Sequence, residues 1–369
     1  MKEIKSILQL YDSYGQGTEK CAIAQVVRVE ESSYRREGAR MIVFENGTFE
    51  GGISGGCLEG DALQRSQIAI LKKEPSIVTY DTSKDDENQI GVGLGCNGVI
   101  DVLITPITQE GNTLNLLQRC VASRKAHILV TVTATNTPDV IALGQNWYYD
   151  TATQTLENFE HQALKASLEK DIQTVLDSKR SKIYHYNLNA LSVSAFIELI
   201  PPQFHLAIYG DNYDVYPMIN LAEVMDWEVS LVGKLQKLRK DKLGAVKDLY
   251  QKDDTEQPLI DDRTAVVLMA HDYKTDLRNL INLVNSPTPY IASLGPKKRF
   301  KKMVNELEDR GTPLTPEQLE RIYAPCGLEI GANTPEEIAA SIFAEILSVF
   351  SGKKGGMLRE KQEPIHERY

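Results

Sequence analysis

The sequence predicts an α/β protein in two parts: a mixed α/β domain followed by a domain built on a parallel sheet. Three observations predict it. The chain has 369 residues, more than the roughly 250–300 at which a single core stops growing. From residue 205 onward, short aliphatic runs alternate with helical periodicity, the mark of parallel strands joined by crossover helices. Pro201-Pro202 lies between the halves, and paired prolines resist continuation of a helix or central strand. The reading is therefore a first domain over 1–200, a second over 201–351, and a charged, loosely ordered tail over 352–369.

In the first domain, Ile4, Ile7, Leu8 and Tyr11 recur at helical spacing. Residues 21–29 and 39–44 read as strands. Asn46-Gly47 then predicts a type I′ hairpin turn, with both central residues at positive φ, before a return strand at Thr48 and Phe49. A glycine-rich loop over 51–60 leads into a helix over 61–71. Strand-like runs at 77–80 and 99–104 flank a polar stretch (81–89) and a second glycine cluster. Residues 113–200 read as a helix at 114–122, a strand at 128–132, a polar hairpin around Trp147-Tyr148-Tyr149 and a helix across 160–178, with no chemical motif. The second domain alternates strands at 205–209, 229–232, 265–269 and 290–294 with helices at 215–225, 277–284 and from 297. Its last helix is signalled by Thr334, Pro335 and Glu337, a capping box with proline at the first helical position.

The net charge of −10 makes nucleic acid or an anionic membrane a poor partner. No run reaches the roughly 18 apolar residues of a membrane span. The first residues lead into an amphipathic pattern, not an apolar signal core. Five cysteines lie far apart, which is no disulfide framework. A cytoplasmic location is expected.

The chemistry gathers in two loops. Gly51-Gly52-Ile53-Ser54-Gly55-Gly56-Cys57-Leu58-Glu59-Gly60 holds five glycines. Glycines let backbone N–H groups approach an anion closely, and the following helix N-terminus favours negative charge and a thiolate at Cys57. Arg35, Arg36 and Arg40 precede the loop and could fold across it. The second loop places Cys96 among Gly91, Gly93, Gly95 and Gly98. A plain glycine turn beside a small buried cysteine remains the competing reading for each loop. Zinc is disfavoured, because Cys57 and Cys96 lack close-spaced ligand partners.

Arg35 to Val43, Gly51 to Glu59 and Gly93 to Gly98 resemble the N-terminal domain of the XdhC/CoxI family of xanthine dehydrogenase accessory proteins. His271-Asp272-Tyr273 with Asp276, Tyr290 to Gly295, Ala324-Pro325-Cys326-Gly327-Leu328 and Thr334 to Glu345 resemble that family's Rossmann-like C-terminal domain. The resemblance implies a chaperone that binds the molybdenum cofactor (molybdopterin), assists its sulfuration and inserts it into a xanthine dehydrogenase-type hydroxylase. A cysteine desulfurase as second partner and a homodimer fit the same picture. By carry-over the cofactor-binding residues are Arg40, Gly52, Ser54, Gly55, Gly56, Cys57, Glu59, Gly95 and Cys96, with Cys57 and Cys96 facing molybdenum.

The second domain departs from a dinucleotide fingerprint. Its turn reads Gly210-Asp211-Asn212-Tyr213-Asp214, with Asn212 where the second glycine belongs, and the second strand ends in Gly233 without an acidic residue. NAD(P) is disfavoured there. Gly210, Asp214, His271 and Asp272 mark a second-domain site at the sheet edge, with a structural, helix-capping role as the alternative for His271. Two other functions stay open: an NAD(P)-dependent oxidoreductase using the second domain, and a thiol redox protein working through Cys57 and Cys96.

Overall fold

In the computed structural model, residues 1–14, 19–31, 33–81, 98–108, 113–188, 191–244 and 246–362 are described. Two compact units result, Met1–Pro202 and Gln203–Ile365.

The first unit begins with α1 (Lys2–Ser13) and continues through β1 (Cys21–Glu31), β2 (Arg40–Phe44), β3 (Phe49–Gly51), α2 (Glu59–Lys72), β4 (Ser76–Asp81) and β5 (Gly98–Pro106). The strands form an antiparallel sheet in the order β3-β2-β1-β5-β4. Strand β1 is central and buried on both faces. Ala22, Ala24 and Val26 share a core with Leu58, Ala62 and Ile70 of the loop and α2. Cys21 and Ile23 join Ile4, Ile7, Leu8 and Tyr11 of α1. Burying those four α1 side chains contributes a gross ~6–12 kcal/mol. That exceeds anything a 12-residue helix gains from propensity, so packing holds α1 in place.

The β2–β3 turn corrects one expectation. Gly47 has φ +87, but Asn46 is not at positive φ. Gly47 N–H donates to the Phe44 carbonyl (2.9 Å), and Phe44 N–H to the Thr48 carbonyl (2.9 Å). This is a type I turn closed by a left-handed glycine, not a type I′ turn. Asn46 instead accepts from Thr48 N–H through its side chain (2.8 Å).

Residues 113–200 build more than the sequence suggests. They run α3 (Thr113–Ala122), β6 (His127–Thr135), β7 (Asn146–Asp150), β8 (Thr155–Leu156), α4 (Gln162–Ser178), β9 (Lys182–Leu188) and β10 (Leu191–Ile200). These make a second antiparallel sheet, β8-β7-β6-β10-β9. The Trp147-Tyr148-Tyr149 hairpin is β7 and β8, and α4 covers the sheet through Leu164, Leu168, Ile172 and Val175.

The second unit is the parallel-sheet domain. It runs β11 (His205–Tyr209), α5 (Val215–Val224), β12 (Glu228–Gly233), β13 (Val246–Gln251), β14 (Thr264–Leu268), α6 (Tyr273–Leu283), β15 (Tyr290–Ser293), α7 (Lys297–Asp309), α8 (Pro316–Glu320), β16 (Ile322–Tyr323) and α9 (Pro335–Ser351). Every neighbouring pair in the order β13-β12-β11-β14-β15-β16 is parallel. The order reverses between β11 and β14, the switch point at which such sheets place ligands. The capping box of α9 forms as expected: Glu337 N–H donates to Thr334 Oγ1 (3.2 Å) and Thr334 N–H to Glu337 Oε2 (3.0 Å).

Candidate functional site

The glycine loop leaves β3 at Gly51, where φ is +88 and a Cβ would stand only 2.4 Å from the Arg40 carbonyl oxygen, leaving no room for one. Gly52 N–H then donates to that carbonyl (3.0 Å). Two side chains organise the rest. Glu59, the first residue of α2, folds back over the loop. Its Oε1 accepts from Ile53 N–H (3.1 Å) and Ser54 N–H (2.8 Å), and its Oε2 from Ser54 Oγ–H (2.5 Å) and Leu58 N–H (3.2 Å). Ser54 Oγ in turn accepts from Gly56 N–H (3.2 Å), Cys57 N–H (3.2 Å) and Leu58 N–H (3.1 Å). Burial pushes the Glu59 carboxyl up, but the donors from Ser54 and Ile53 outweigh it and hold the group below the usual carboxylate range.

This brace has a chemical consequence. The N–H groups of Ile53, Ser54, Gly56, Cys57 and Leu58 point at the loop's own side chains, so the loop is set without a ligand. Cys57 is half-buried, and its Sγ lies 3.4 Å from Ser54 Oγ. A hydrogen-bonded line therefore runs from the Cys57 thiol through the Ser54 hydroxyl to the Glu59 carboxylate. Tyr34, 73% exposed, lays its ring against Gly55, 3.4 Å from where a Cβ would stand. The sequence reading missed Tyr34, although it sits beside the Arg35-Arg36 pair.

The arginines separate. Arg40 does not fold across the loop: its side chain is 2% exposed and pairs with Glu198 of β10, which is itself held by Gln25 Nε2 (2.9 Å). Arg35 pairs with Glu3, whose other oxygen accepts from Arg40 N–H (3.0 Å). Arg36 is half-buried and carries no ion pair among the described residues. Gly95 and Cys96 lie outside the described residues, as does any meeting of Cys96 with Cys57. Among the described residues no three His, Cys, Asp or Glu side chains form a metal-binding group.

At the sheet edge of the second unit, the turn after β11 is filled by its own side chains. A Cβ on Gly210 would stand 2.7 Å from the Met269 carbonyl. Asp211 accepts from Lys234 N–H (3.0 Å) and from Lys237 Nζ (2.8 Å). Asn212 Nδ2 donates to the Ala270 carbonyl (3.5 Å). Asp214 Oδ2 meets His271 Nε2 at 2.5 Å, while its Oδ1 is buried with no hydrogen-bond partner among the described residues. His271 adopts φ +56. Asp272, not His271, caps α6, accepting from Thr275 N–H (2.8 Å). The Thr275 hydroxyl, and next its N–H, hold the Asp272 carboxyl below the usual range. Below it, Asp276 accepts from Arg299 Nη2 at 2.5 Å and is 1% exposed, so one arginine of the basic helix α7 is a structural anchor. Asp211 and Asp214 put negative charge where a dinucleotide would set its pyrophosphate.

Comparison with known proteins agrees with this architecture. Residues 16–81 match the model described as the XdhC and CoxI family, and residues 206–346 match the XdhC Rossmann domain. A Bacillus subtilis protein, named as a probable subunit of xanthine dehydrogenase, is 28% identical over 92% of this chain and 96% of its own length. The Escherichia coli molybdenum cofactor insertion chaperone PaoD is 22% identical over 89% of this chain and 82% of its own. A crystal structure described as a xanthine dehydrogenase from Bacillus halodurans superposes with a TM-score of 0.72 at 25% identity, covering 94% of this chain and 96% of that one. With the family's two parts matched in order on the two units, the chain belongs to the XdhC/CoxI family.

Proposed function

We propose that this protein is an accessory chaperone that carries the molybdenum cofactor and inserts it into a xanthine dehydrogenase-type molybdenum hydroxylase. The observation that carries the reading is the braced Cys57. A thiol gives up its proton on ligating a metal. Here Ser54 Oγ, 3.4 Å from Sγ and held by Glu59, fixes the sulfur in place, and the proton released on ligation leaves to solvent, giving a thiolate for the metal. Thiolate sulfur suits a soft metal centre, and the likeness to PaoD supports the choice of cargo.

The exposed Tyr34 ring, the Gly55 N–H and Arg36 remain to meet the cargo's pterin and phosphate. Cys96 is the second proposed sulfur ligand. Sulfuration on this chain with a cysteine desulfurase as donor, a homodimer and a cytoplasmic location belong to the same proposal. Among the described residues no helix is long and apolar enough to cross a membrane.

Delivery is tested with chain loaded anaerobically and mixed with cofactor-free hydroxylase. Wild type restores client activity and Cys57→Ala does not. Ser54→Ala, which removes the hydroxyl that fixes Cys57 but leaves the thiol, lowers transfer by roughly 10–100-fold. Equal restoration by all three would overturn the reading.

A further inference from the structure

Helix α7 is charged against its own dipole. A helix N-terminus favours carboxylates and a C-terminus favours cations. Helices α2, α6 and α9 follow that rule, with carboxylates in their first turns. In α7 the first turn holds lysines and no carboxylate, and the last turn holds acidic residues and no cation. Natural sequences break a local rule of this kind chiefly at functional surfaces.

Strands β14 and β15 are parallel neighbours, so α6 and α7, which follow them, start at the same edge of the sheet. The two helices share the core of Leu277, Leu280, Met303 and Leu307. Arg299 with Asp276, and the Tyr273 hydroxyl donating to Glu306 Oε2 (2.7 Å), clamp them together. Lys302 Nζ stands 4.6 Å from the centre of the Tyr273 ring. These contacts make a fixed platform.

Other charges on the platform take no part in holding it. Lys297 and Lys301, one turn apart on α7, and Lys274 at the start of α6 are exposed, and none has an ion pair among the described residues. At the far end of α7, Glu308 and Asp309 are likewise exposed with no ion pair among the described residues. The face therefore carries two signs, positive at the start of α7 and negative at its end.

We propose that this face, through Lys274, Lys297 and Lys301, docks the client hydroxylase by an acidic patch on the client's surface. The inference rests on the chaperone reading and assigns to the second unit the partner contact that such a reading requires. A nucleic acid or other uniform polyanion would be repelled by Glu308 and Asp309 and by the chain's net charge of −10, whereas a folded protein surface can match both signs. Docking by exposed charge also suits a carrier. It speeds encounter and fixes orientation more than it adds affinity, so the client leaves once the cargo has moved.

The test is the rate at which the loaded full chain restores activity to limiting cofactor-free hydroxylase, at about 50 and about 300 mM NaCl. The wild-type rate should fall roughly tenfold between the two salts, as screening shortens the reach of the patch. The triple variant Lys274→Glu, Lys297→Glu, Lys301→Glu should be slower by roughly tenfold or more at low salt and should not slow further as salt is raised. It should retain molybdenum as the wild type does and keep or raise the thermal midpoint, because carboxylates at a helix start suit the dipole. The same three lysines changed to glutamine should give rates between the two, which keeps the test should the glutamate variant fail to fold. Delivery by the variants as fast as by the wild type would overturn the docking surface and leave the chaperone reading standing. Loss of bound molybdenum in the triple variant would place the lysines at the cargo and overturn it as well. A wild type that restores no activity would sink the chaperone reading itself, and the docking surface with it.

Discussion

Replacing Glu59 by glutamine removes the charge on which four donors converge: the N–H groups of Ile53, Ser54 and Leu58 and the Ser54 hydroxyl. The glutamine carbonyl can keep the Ile53 and Ser54 amides. Its NH2 group then faces Leu58 N–H, donor to donor, and the Ser54 hydroxyl must turn. A hydrogen bond to a charged group contributes about 1.5–3 kcal/mol and a neutral one about 1. Two bonds weakened and two lost, discounted for a half-buried site, come to about 2 kcal/mol of loop stability. Because the chain has two units, a single global unfolding free energy is a poor readout. Hydrogen exchange over 51–60 reads the loop directly. Glu59→Gln should exchange there roughly 30-fold faster at pH 7, with β1 and β5 unchanged. The pH dependence follows from sign. The folded carboxyl lies below its ordinary range. Its contribution is therefore full above the unfolded value of about 4.3 and is lost as pH falls through the folded value. Wild-type loop protection should stay flat from pH 7 to about 5 and fall only below that. Exchange within about threefold of wild type in Glu59→Gln would refute the brace.

Three further outcomes are expected. Arg40→Met leaves Glu198 buried without its cation and should cost about 3–5 kcal/mol in urea unfolding of the first unit, whereas Arg40→Met with Glu198→Leu should recover most of that loss; equal losses would show that the pair is not coupled. Gly51→Ala places a Cβ 2.4 Å from the Arg40 carbonyl at φ +88 and should destabilise by more than about 2 kcal/mol, read as lost soluble yield and a lower thermal midpoint. Titration with NAD+ should show no binding tighter than about 1 mM, because Asp211, Asn212 and Asp214 occupy the turn; tight binding would reopen the oxidoreductase reading.

The parts of the fold that were legible in the sequence are those with local signals. The Thr334-Pro335-Glu337 cap, the alternation from His205 onward and the glycine run at 51–60 each announce themselves within a few residues. The missing parts depend on distant partners. Arg40 looks like a surface cation because its partner Glu198 lies 158 residues away. Strand β13 is an edge strand whose Lys247, Asp248 and Leu249 are exposed, so it carries no apolar run to read. The sheet of 127–200 emerges only once β6 and β10 pair. At the site, the residues were visible but their roles were not. Ser54 and Glu59 read as ligand groups from the motif, while the structure makes them the frame that fixes Cys57. Nothing in the spacing signals that the loop's amides turn inward.

The central claim is that this chain holds the molybdenum cofactor through Cys57. Purified protein incubated anaerobically with the isolated cofactor, desalted and assayed for molybdenum, tests it most directly. Near-stoichiometric metal on the wild type, lost in Cys57→Ala and unchanged in a surface control such as Lys298→Ala, is the predicted result. A wild type that retains no molybdenum, or a Cys57→Ala variant that retains as much, would contradict the account.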